Sequence, residues 1–466
     1  MANTPQVKGS RNTTLGVTAF GFFMGISGIA LFGPTAAQLR EPMELSATQV
    51  GWLVAMPALS GALIRVVFGA WADATGGKKP FLSLLGIMLA AMAVLVWILF
   101  AYYPDDLGPQ FYPVLLLLGA VIGFGVDTFS VGIPMNAYWN PMRRQGTALG
   151  IFAGFGNAGA GAFTLFVPFL VAALTLPGAY LFWIIIVGIA FTLVALFAQN
   201  APYFQLHQRD GLPRDEAEEL ARGYGQEAFP RESLWPALFE AARAWRNWAL
   251  VMTYFVSFGG FLALTAWLPT YWYDFHGMSA TAAGALAAAF GIWTGLVRVP
   301  GGALADTLGG EPTNFLAFGL ALVGSLVLVF AGTAGPAFVG TMLIATGFGI
   351  ANAAQFSLVP VYLPRAIGGA AGWIGGLGGF GGTLFPPLLG VFVDAQGTQG
   401  YATGFLVFAV LSVASIAIMI LLRATRGGVT AAVAAADARA ARKGMAVPDT
   451  QPDEVADLAP TREKTA

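Results

Sequence analysis

The sequence contains no cysteine, only two histidines and few charges, since Asp, Glu, Lys and Arg together make up 10% of its 466 residues. Without cysteine there is no disulfide framework, no iron–sulfur cluster and no thiol nucleophile. The two histidines, His207 and His276, fall in polar connections, which argues against a histidine metal site or a buried proton relay. A soluble enzyme carries charge at about a quarter of its residues, so the composition excludes one of ordinary type.

A formal net charge of −1 also lacks the basic surface that nucleic-acid binding requires. No nucleophile stands beside a base, and the glycine-rich stretches lie inside apolar segments rather than after strands, where phosphate-binding loops occur. The sequence therefore predicts no enzyme, no cofactor and no metal site.

What the chain has instead is 57% hydrophobic residues, gathered into blocks long enough to cross a bilayer. We predict an all-α membrane protein with twelve transmembrane helices. The expected spans are residues 15–39, 51–72, 80–103, 111–138, 147–174, 178–201, 248–273, 281–305, 313–334, 337–362, 370–393 and 401–422.

The domain organisation follows from the one long internal polar stretch, which divides the spans into two sets of six. We predict an N-terminal six-helix bundle at 1–201, a cytoplasmic linker at 202–247 and a C-terminal six-helix bundle at 248–423. The remaining tail, 424–466, is rich in Ala and then in Pro, Asp and Glu, and is expected to be disordered.

Lys and Arg residues predict the orientation, because cytoplasmic loops carry an excess of them. Of the 23, twenty fall on the side of the N-terminus, and only Arg40 falls on the opposite side. The other two, Arg65 and Arg298, lie inside spans. Both termini are therefore expected in the cytoplasm, with the spans in the inner (plasma) membrane.

An internal repeat relates the two halves. The thirteen residues from Arg65 to Gly77 agree at eight positions with those from Arg298 to Gly310. Repeated halves with a site between them are typical of transporters, so we predict two pseudo-symmetric bundles.

The Gly/Asp/Gly-Gly motif at 69–79 and 302–310 resembles the loop signature of the major facilitator superfamily. Within it, the glycine-rich stretches 150–159 and 372–381 resemble the paired signatures of the nitrate/nitrite porter family. The resemblance implies the major facilitator fold and a nitrate or nitrite substrate. It also implies an anion-binding pair at Arg65 and Arg298, with Tyr254, Phe258 and Phe129 lining the substrate cavity.

Helix geometry places Arg65 and Arg298 at equal depth, because each precedes a span-end Asp by eight residues, about 12 Å at 1.5 Å per residue. A guanidinium at mid-span costs roughly 2.5 to 3.5 kcal/mol unless it meets water or an opposite charge. One interpretation is that each arginine has a structural role, in which its side chain extends to the membrane surface or binds a backbone carbonyl. We favour the alternative, a clamp on a small oxyanion, to which Asn157 at a similar depth could donate its amide protons.

Other residues are expected to support the site. Close packing or gating is predicted for the glycines of the two signatures and for the acids at the ends of the second and eighth spans: Gly150, Gly154, Gly156, Gly372, Gly376, Gly378, Asp73 and Asp306. Asp127 in the fourth span is open to two interpretations. It is a proton-coupling residue paired with the arginines, or a structural acid turned away from the cavity.

The sequence thus predicts a secondary active transporter of nitrate, nitrite or both that works by alternating access. Nitrate/nitrite antiport and proton-coupled nitrate symport both remain open, and Asp127 is what argues against pure exchange. The alternative is a transporter of another small monoanion, such as formate or a short carboxylate. We expect a monomer in the lipid bilayer with no nucleic-acid partner.

Overall fold

The computed structural model describes residues 7–230, 235–363 and 366–426, and all regular elements in these ranges are helical. The predicted tail, 424–466, lies outside them except for its first three residues.

Ten helical segments in the described ranges are long and apolar enough to cross a membrane. They are Arg11–Ala30, Lys78–Tyr102, Pro109–Trp139, Thr147–Phe197, Trp245–Phe275, Ala280–Leu308, Gly310–Phe330, Ala334–Tyr362, Gly368–Thr403 and Leu406–Ala424. An eleventh consists of Ala47–Leu63 and Val67–Thr75, which meet at an angle of 45°. Below, spans are numbered in chain order, so this bent pair is span 2.

One of these segments is too long to cross a bilayer once. The helix Met142–Phe197 has 56 residues and would measure about 84 Å, against a hydrocarbon core of roughly 30 Å. At Thr175 the backbone leaves the helical region, with φ 64° and ψ 172°. The helix is therefore two spans, 5 and 6, divided at Thr175, and the twelve predicted spans are all present in the described part of the chain.

The polar linker begins with the short helix Pro202–Phe204 and continues with Arg214–Gly223 and Trp235–Arg243. Its first part packs on the ends of spans 4 and 6 through an apolar cluster that includes Tyr138, Phe204 and Leu206. We call the side of the protein that carries this linker the linker face, and the opposite side the far face.

Spans 2 and 11 touch at the far face and separate toward the linker face. A β-carbon added at Gly390, near the far face, would lie 2.5 Å from the backbone of span 2. The corresponding distance to a span 2 side chain is 3.0 Å at Gly382 and 4.0 Å at Gly379, and at Gly376 no atom lies within 4 Å. At Gly375 the long side chain of Arg65 reaches across the gap, with Nη1 3.5 Å from an added β-carbon. The gap between the two spans therefore widens along their length.

Spans 5 and 8 also separate toward the linker face. Gly150, Gly154 and Gly161 share one face of span 5, because they are spaced four and seven residues apart. A β-carbon at Gly161 would lie 2.9 Å from Ile292 of span 8, whereas one at Gly150 or Gly154 would have no atom within 4 Å. The two halves thus meet at the far face and are open toward the linker face.

The close packing at one of these glycines predicts how a substitution there changes stability. A β-carbon at Gly156 would lie 1.9 Å from the ring of Phe22, which is fully buried. Gly156→Ala must displace that ring, so we expect a loss of about 1 to 3 kcal/mol of stability. Gly154→Ala is the matched control, since nothing stands within 4 Å there. Thermal unfolding of the two purified variants is the measurement, and equal midpoints would contradict the close packing at Gly156.

Candidate functional site

Four spans depart from regular α-helix at the depth where the predicted site residues lie. Span 2 bends at Ile64, directly before Arg65. Span 4 contains a 3₁₀ segment, Gly123–Asp127, and span 7 contains a π-helical segment, Phe255–Gly259. Span 11 is interrupted at Phe380. Such irregular segments free backbone groups and redirect side chains, and they recur at functional sites.

Arg65 faces the protein interior, with a side chain 11% exposed. Its Nε lies 3.5 Å from Oδ1 of Asp127, and its guanidinium stands 5.6 Å from the ring centroid of Phe129, within cation–π range. Its Nη1 donates a hydrogen bond to the backbone carbonyl of Gly375 in span 11. Arg65 is therefore bound from both halves of the protein.

Asp127 is fully buried beside Arg65, which argues against a side chain turned toward lipid. Oδ1 accepts a 2.6 Å hydrogen bond from Ser130, while Oδ2 has no partner among the described residues. The nearby Arg65 Nε also makes no hydrogen bond. A buried ion pair whose members leave a donor and an acceptor unused is poorly compensated, so each group keeps one buried polar atom without a hydrogen bond.

Arg298 occupies the matching place in span 8. Its guanidinium lies 5.9 Å from the ring centroid of Phe258, and Phe258 stacks on Tyr254 with centroids 5.0 Å apart. Unlike Arg65, Arg298 makes no ion pair or hydrogen bond within the described ranges, and its side chain is partly exposed. A guanidinium without a counter-charge at this depth is a strong site for an anion.

The glycine-rich segment of span 11 connects the surroundings of the two arginines. Arg65 contacts this segment at Gly375, and a β-carbon at Gly378 would lie 2.4 Å from the ring of Tyr254. At Gly379, an added β-carbon would lie 3.6 Å from Phe258, the ring beside Arg298. Two arginines and one carboxylate, Asp127, thus border this segment, which leaves a net charge of +1.

Asn157 is buried in span 5, but its amide donates to the Ala153 carbonyl of the same helix at 2.7 Å. It makes no hydrogen bond to either arginine in this conformation. Its part in anion binding stays a prediction.

The signature glycines fall into two groups. A β-carbon added at Gly156 or Gly378 would meet an aromatic ring, and one added at Gly372 would lie 3.4 Å from Leu238 of the linker. Gly150, Gly154 and Gly376 have no atom within 4 Å of an added β-carbon, because they lie where the halves are apart. A packing role for this second group therefore requires a conformation in which the linker face is closed.

The two acids at the span ends are not equivalent. Asp73 accepts a 2.5 Å hydrogen bond from the hydroxyl of Tyr138, which ties span 2 to span 4. Asp306 is exposed and has no partner in the part of the chain that the structure describes, so the pairing expected for it is not present in this conformation.

Two contacts at the site were missed by sequence reasoning. Ser130 stands three residues after Asp127 on a helix, a spacing that places the two side chains together and could have indicated the bond. For Arg65 the sequence allowed a backbone carbonyl as one partner, but nothing in the residue types pointed to Gly375, 310 residues away.

Twelve spans in two bundles, with a positively charged centre open to one face, define a membrane transporter of the alternating-access class. The chain belongs to the Major Facilitator Superfamily, whose sequence profile matches residues 18–386. The superfamily that the sequence resembled is thereby confirmed.

The similarity to related proteins extends along most of the chain. A probable nitrate/nitrite antiporter, NarK1, of Thermus thermophilus is 31% identical and covers 84% of this chain and 86% of its own. A nitrite extrusion protein of Bacillus subtilis is 27% identical, over 84% of this chain and 89% of its own. A probable nitrate/nitrite transporter, NarK2, of Mycobacterium tuberculosis is 30% identical, over 77% and 83%. These names confirm the resemblance to the nitrate/nitrite porter family.

Solved structures show the same fold. The xylose transporter XylE from E. coli, in a partially occluded inward-open conformation, matches with a TM-score of 0.65 at 15% identity, over 88% of this chain and 98% of its own. A bacterial homologue of the lysosomal transporter Spinster, inward-facing and unoccupied, matches with a TM-score of 0.65 at 15% identity, over 89% and 97%. At this identity the likeness concerns the fold alone.

Proposed function

We propose that the protein carries nitrate, nitrite or both across the membrane by alternating access. The observation that carries the proposal is Arg298, a guanidinium at mid-span without a counter-charge in the described chain, while its counterpart in the other half, Arg65, is partly neutralised by Asp127. One monoanion between them would neutralise the net charge of +1. The planar edge of each guanidinium offers two parallel donors, which suits the coplanar oxygens of nitrate or nitrite. The relatives named above as nitrate/nitrite transporters support this substrate class.

The proposal includes an orientation and a moving unit. The linker face lies in the cytoplasm with both termini, as the distribution of Lys and Arg supports, and the membrane is the plasma membrane. The bundles 1–201 and 248–423 rock about the central site, and the protein works as a monomer. In this orientation the present conformation is inward-facing.

Coupling to protons is the further part of the proposal, and it rests on Asp127. An anion at Arg65 competes with the Asp127 carboxylate for the same guanidinium, and a proton on Asp127 removes that competition. Binding of the anion and binding of the proton therefore favour each other. This arrangement supports proton-coupled symport in addition to exchange.

Transport by the purified full chain in proteoliposomes tests the substrate. We expect internal unlabelled nitrate to drive uptake of labelled nitrate, and external nitrite to inhibit that uptake. Liposomes without protein and liposomes with Arg65→Gln protein are the controls. Formate or acetate inhibiting more strongly than nitrite would contradict the substrate and favour a carboxylate transporter.

A further inference from the structure

The far face carries several carboxylates and one cation. The carboxylates belong to Glu41, Glu44, Asp105, Asp106, Asp274 and Asp394, and among the described residues the one cation is Arg40. An anion in solution on this side meets a net negative surface, whose repulsion reaches about one Debye length, roughly 10 Å at 0.1 M salt. A transporter that loads an anion from this side needs a positive group to oppose that field.

In the present conformation the charge of Arg40 is masked by the other half of the protein. Its Nη1 donates a 3.0 Å hydrogen bond to Oδ2 of Asp274 in span 7. The hydroxyl of Tyr401 donates to the same oxygen at 2.5 Å, which holds the carboxylate in place. The Arg40 side chain is 39% exposed, so it stands at the surface rather than in the core.

The second anchor of Arg40 belongs to its own half. Its Nε donates to the carbonyl of Leu45 at 3.2 Å, five residues further along the same loop. When the far face opens, Asp274 leaves with the second half while Leu45 stays beside Arg40. The guanidinium is then held in position with its Nη1 and Nη2 edge unoccupied, the edge that binds an oxyanion through two parallel donors.

The space behind this ion pair is incompletely filled. A small pocket lies against it, lined by Gly33, Gln38, Thr270 and Asp274 among others. Oε1 of Gln38 and the hydroxyl of Thr270 are buried there without a hydrogen-bond partner. Separation of Arg40 from Asp274 would widen this pocket and place the polar groups of Gln38 and Thr270 within reach of an incoming ion.

We propose that Arg40 is an anion-recruiting site at the far face, exposed when that face opens and covered by Asp274 when it closes. The inference rests on the proposed function for the identity of the anion and for the extracellular position of the far face. It adds a second oxyanion site, distinct from the central pair, that acts on capture from one side of the membrane only.

Sided transport kinetics of Arg40→Gln test the proposal. We expect the KM for nitrate supplied at the far face to rise about fivefold, because the attraction is lost, with the maximal rate within about twofold of wild type. The KM for nitrate supplied at the linker face should not change. Right-side-out and inside-out vesicles from the same cells give the two values. Arg40→Lys should restore only part of the far-face KM, since it returns the positive charge but not the two parallel donors.

Comparison of Arg40→Gln with Asp274→Asn separates recruitment from simple closure of the far face. If Arg40 only latched that face, either substitution would populate the outward-open state and lower the far-face KM. If Arg40 recruits the anion, Arg40→Gln raises this KM while Asp274→Asn, which uncovers the guanidinium, lowers it or leaves it unchanged. A fall in both variants, or an unchanged KM in Arg40→Gln, would overturn the proposal.

The ionic strength of the external medium gives an independent readout. In Arg40→Gln the repulsion by the far-face carboxylates is unopposed, so the far-face KM should fall as potassium gluconate is added; in wild type the attraction to Arg40 is screened as well, so the fall should be clearly smaller. An equal fall in the two proteins would contradict recruitment by Arg40. If the wild-type protein carries neither nitrate nor nitrite, the proposed function fails. The same sided comparison with the anion that it does carry would still decide the role of Arg40.

Discussion

Replacing either central arginine by lysine should reduce nitrate transport by about two orders of magnitude. Lysine keeps the positive charge but offers a point charge in place of two parallel donors, so it loses the geometry that fits a planar oxyanion. Losing charge-assisted hydrogen bonds worth about 1.5 to 3 kcal/mol corresponds to about tenfold to more than a hundredfold in binding. Uptake of labelled nitrate by proteoliposomes that contain equal amounts of each variant is the measurement.

The two variants should differ in one respect. Arg65→Lys also breaks the bond to the Gly375 carbonyl and loosens the pair with Asp127, so we expect it to lower thermal stability as well. Arg298 has no such bonds in the described residues, so Arg298→Lys should leave stability nearly unchanged. Arg222→Lys, on the exposed linker surface, is the control for an arginine-to-lysine change away from the site. Near-normal uptake by both central variants would show that the arginines act only through their charge.

The arginine pair could be predicted because its signal is local and repeated. Arg65 and Arg298 stand at the same distance before matching Asp-and-glycine loops, and an ionised side chain inside an apolar span is rare enough to indicate function. The rings beside them were named in the sequence from family resemblance. The structure adds that each ring lies next to the arginine of its own half, Phe129 by Arg65 and Phe258 by Arg298.

The features that could not be predicted from the sequence depend on the conformation of the protein or on its backbone. Gly154 and Gly156 are two residues apart, yet one faces open space and the other a buried ring, because the gap between spans 5 and 8 reaches only one of them. The sequence predicted a break between two hydrophobic stretches close to Thr175. It gave no sign that Thr175 itself has a positive φ, because no glycine stands at that position. Asp73 and Asp306 look alike in the repeat, and only the packing of Tyr138 distinguishes them.

Asp127→Asn should abolish accumulation of nitrate driven by a pH gradient while sparing nitrate/nitrite exchange. Asparagine keeps the size of the side chain and can still bond to Ser130, but it neither titrates nor carries the charge that balances Arg65. Without that charge, the empty carrier must expose two uncompensated guanidiniums at mid-span as it reorients, which slows the return step that net uptake needs and exchange avoids.

Ser130→Ala is the matched control for this substitution, because it removes the hydrogen bond to the carboxyl group and keeps the group itself. We expect Ser130→Ala to retain accumulation driven by a pH gradient. Proteoliposomes loaded with or without nitrite, each with and without a pH gradient, separate exchange from proton-driven uptake for both variants. An Asp127→Asn protein whose accumulation still follows the pH gradient would exclude Asp127 as the proton carrier. A protein that loses exchange to the same extent would show instead that the carboxylate is needed to position Arg65, since exchange requires an intact anion site but no empty return.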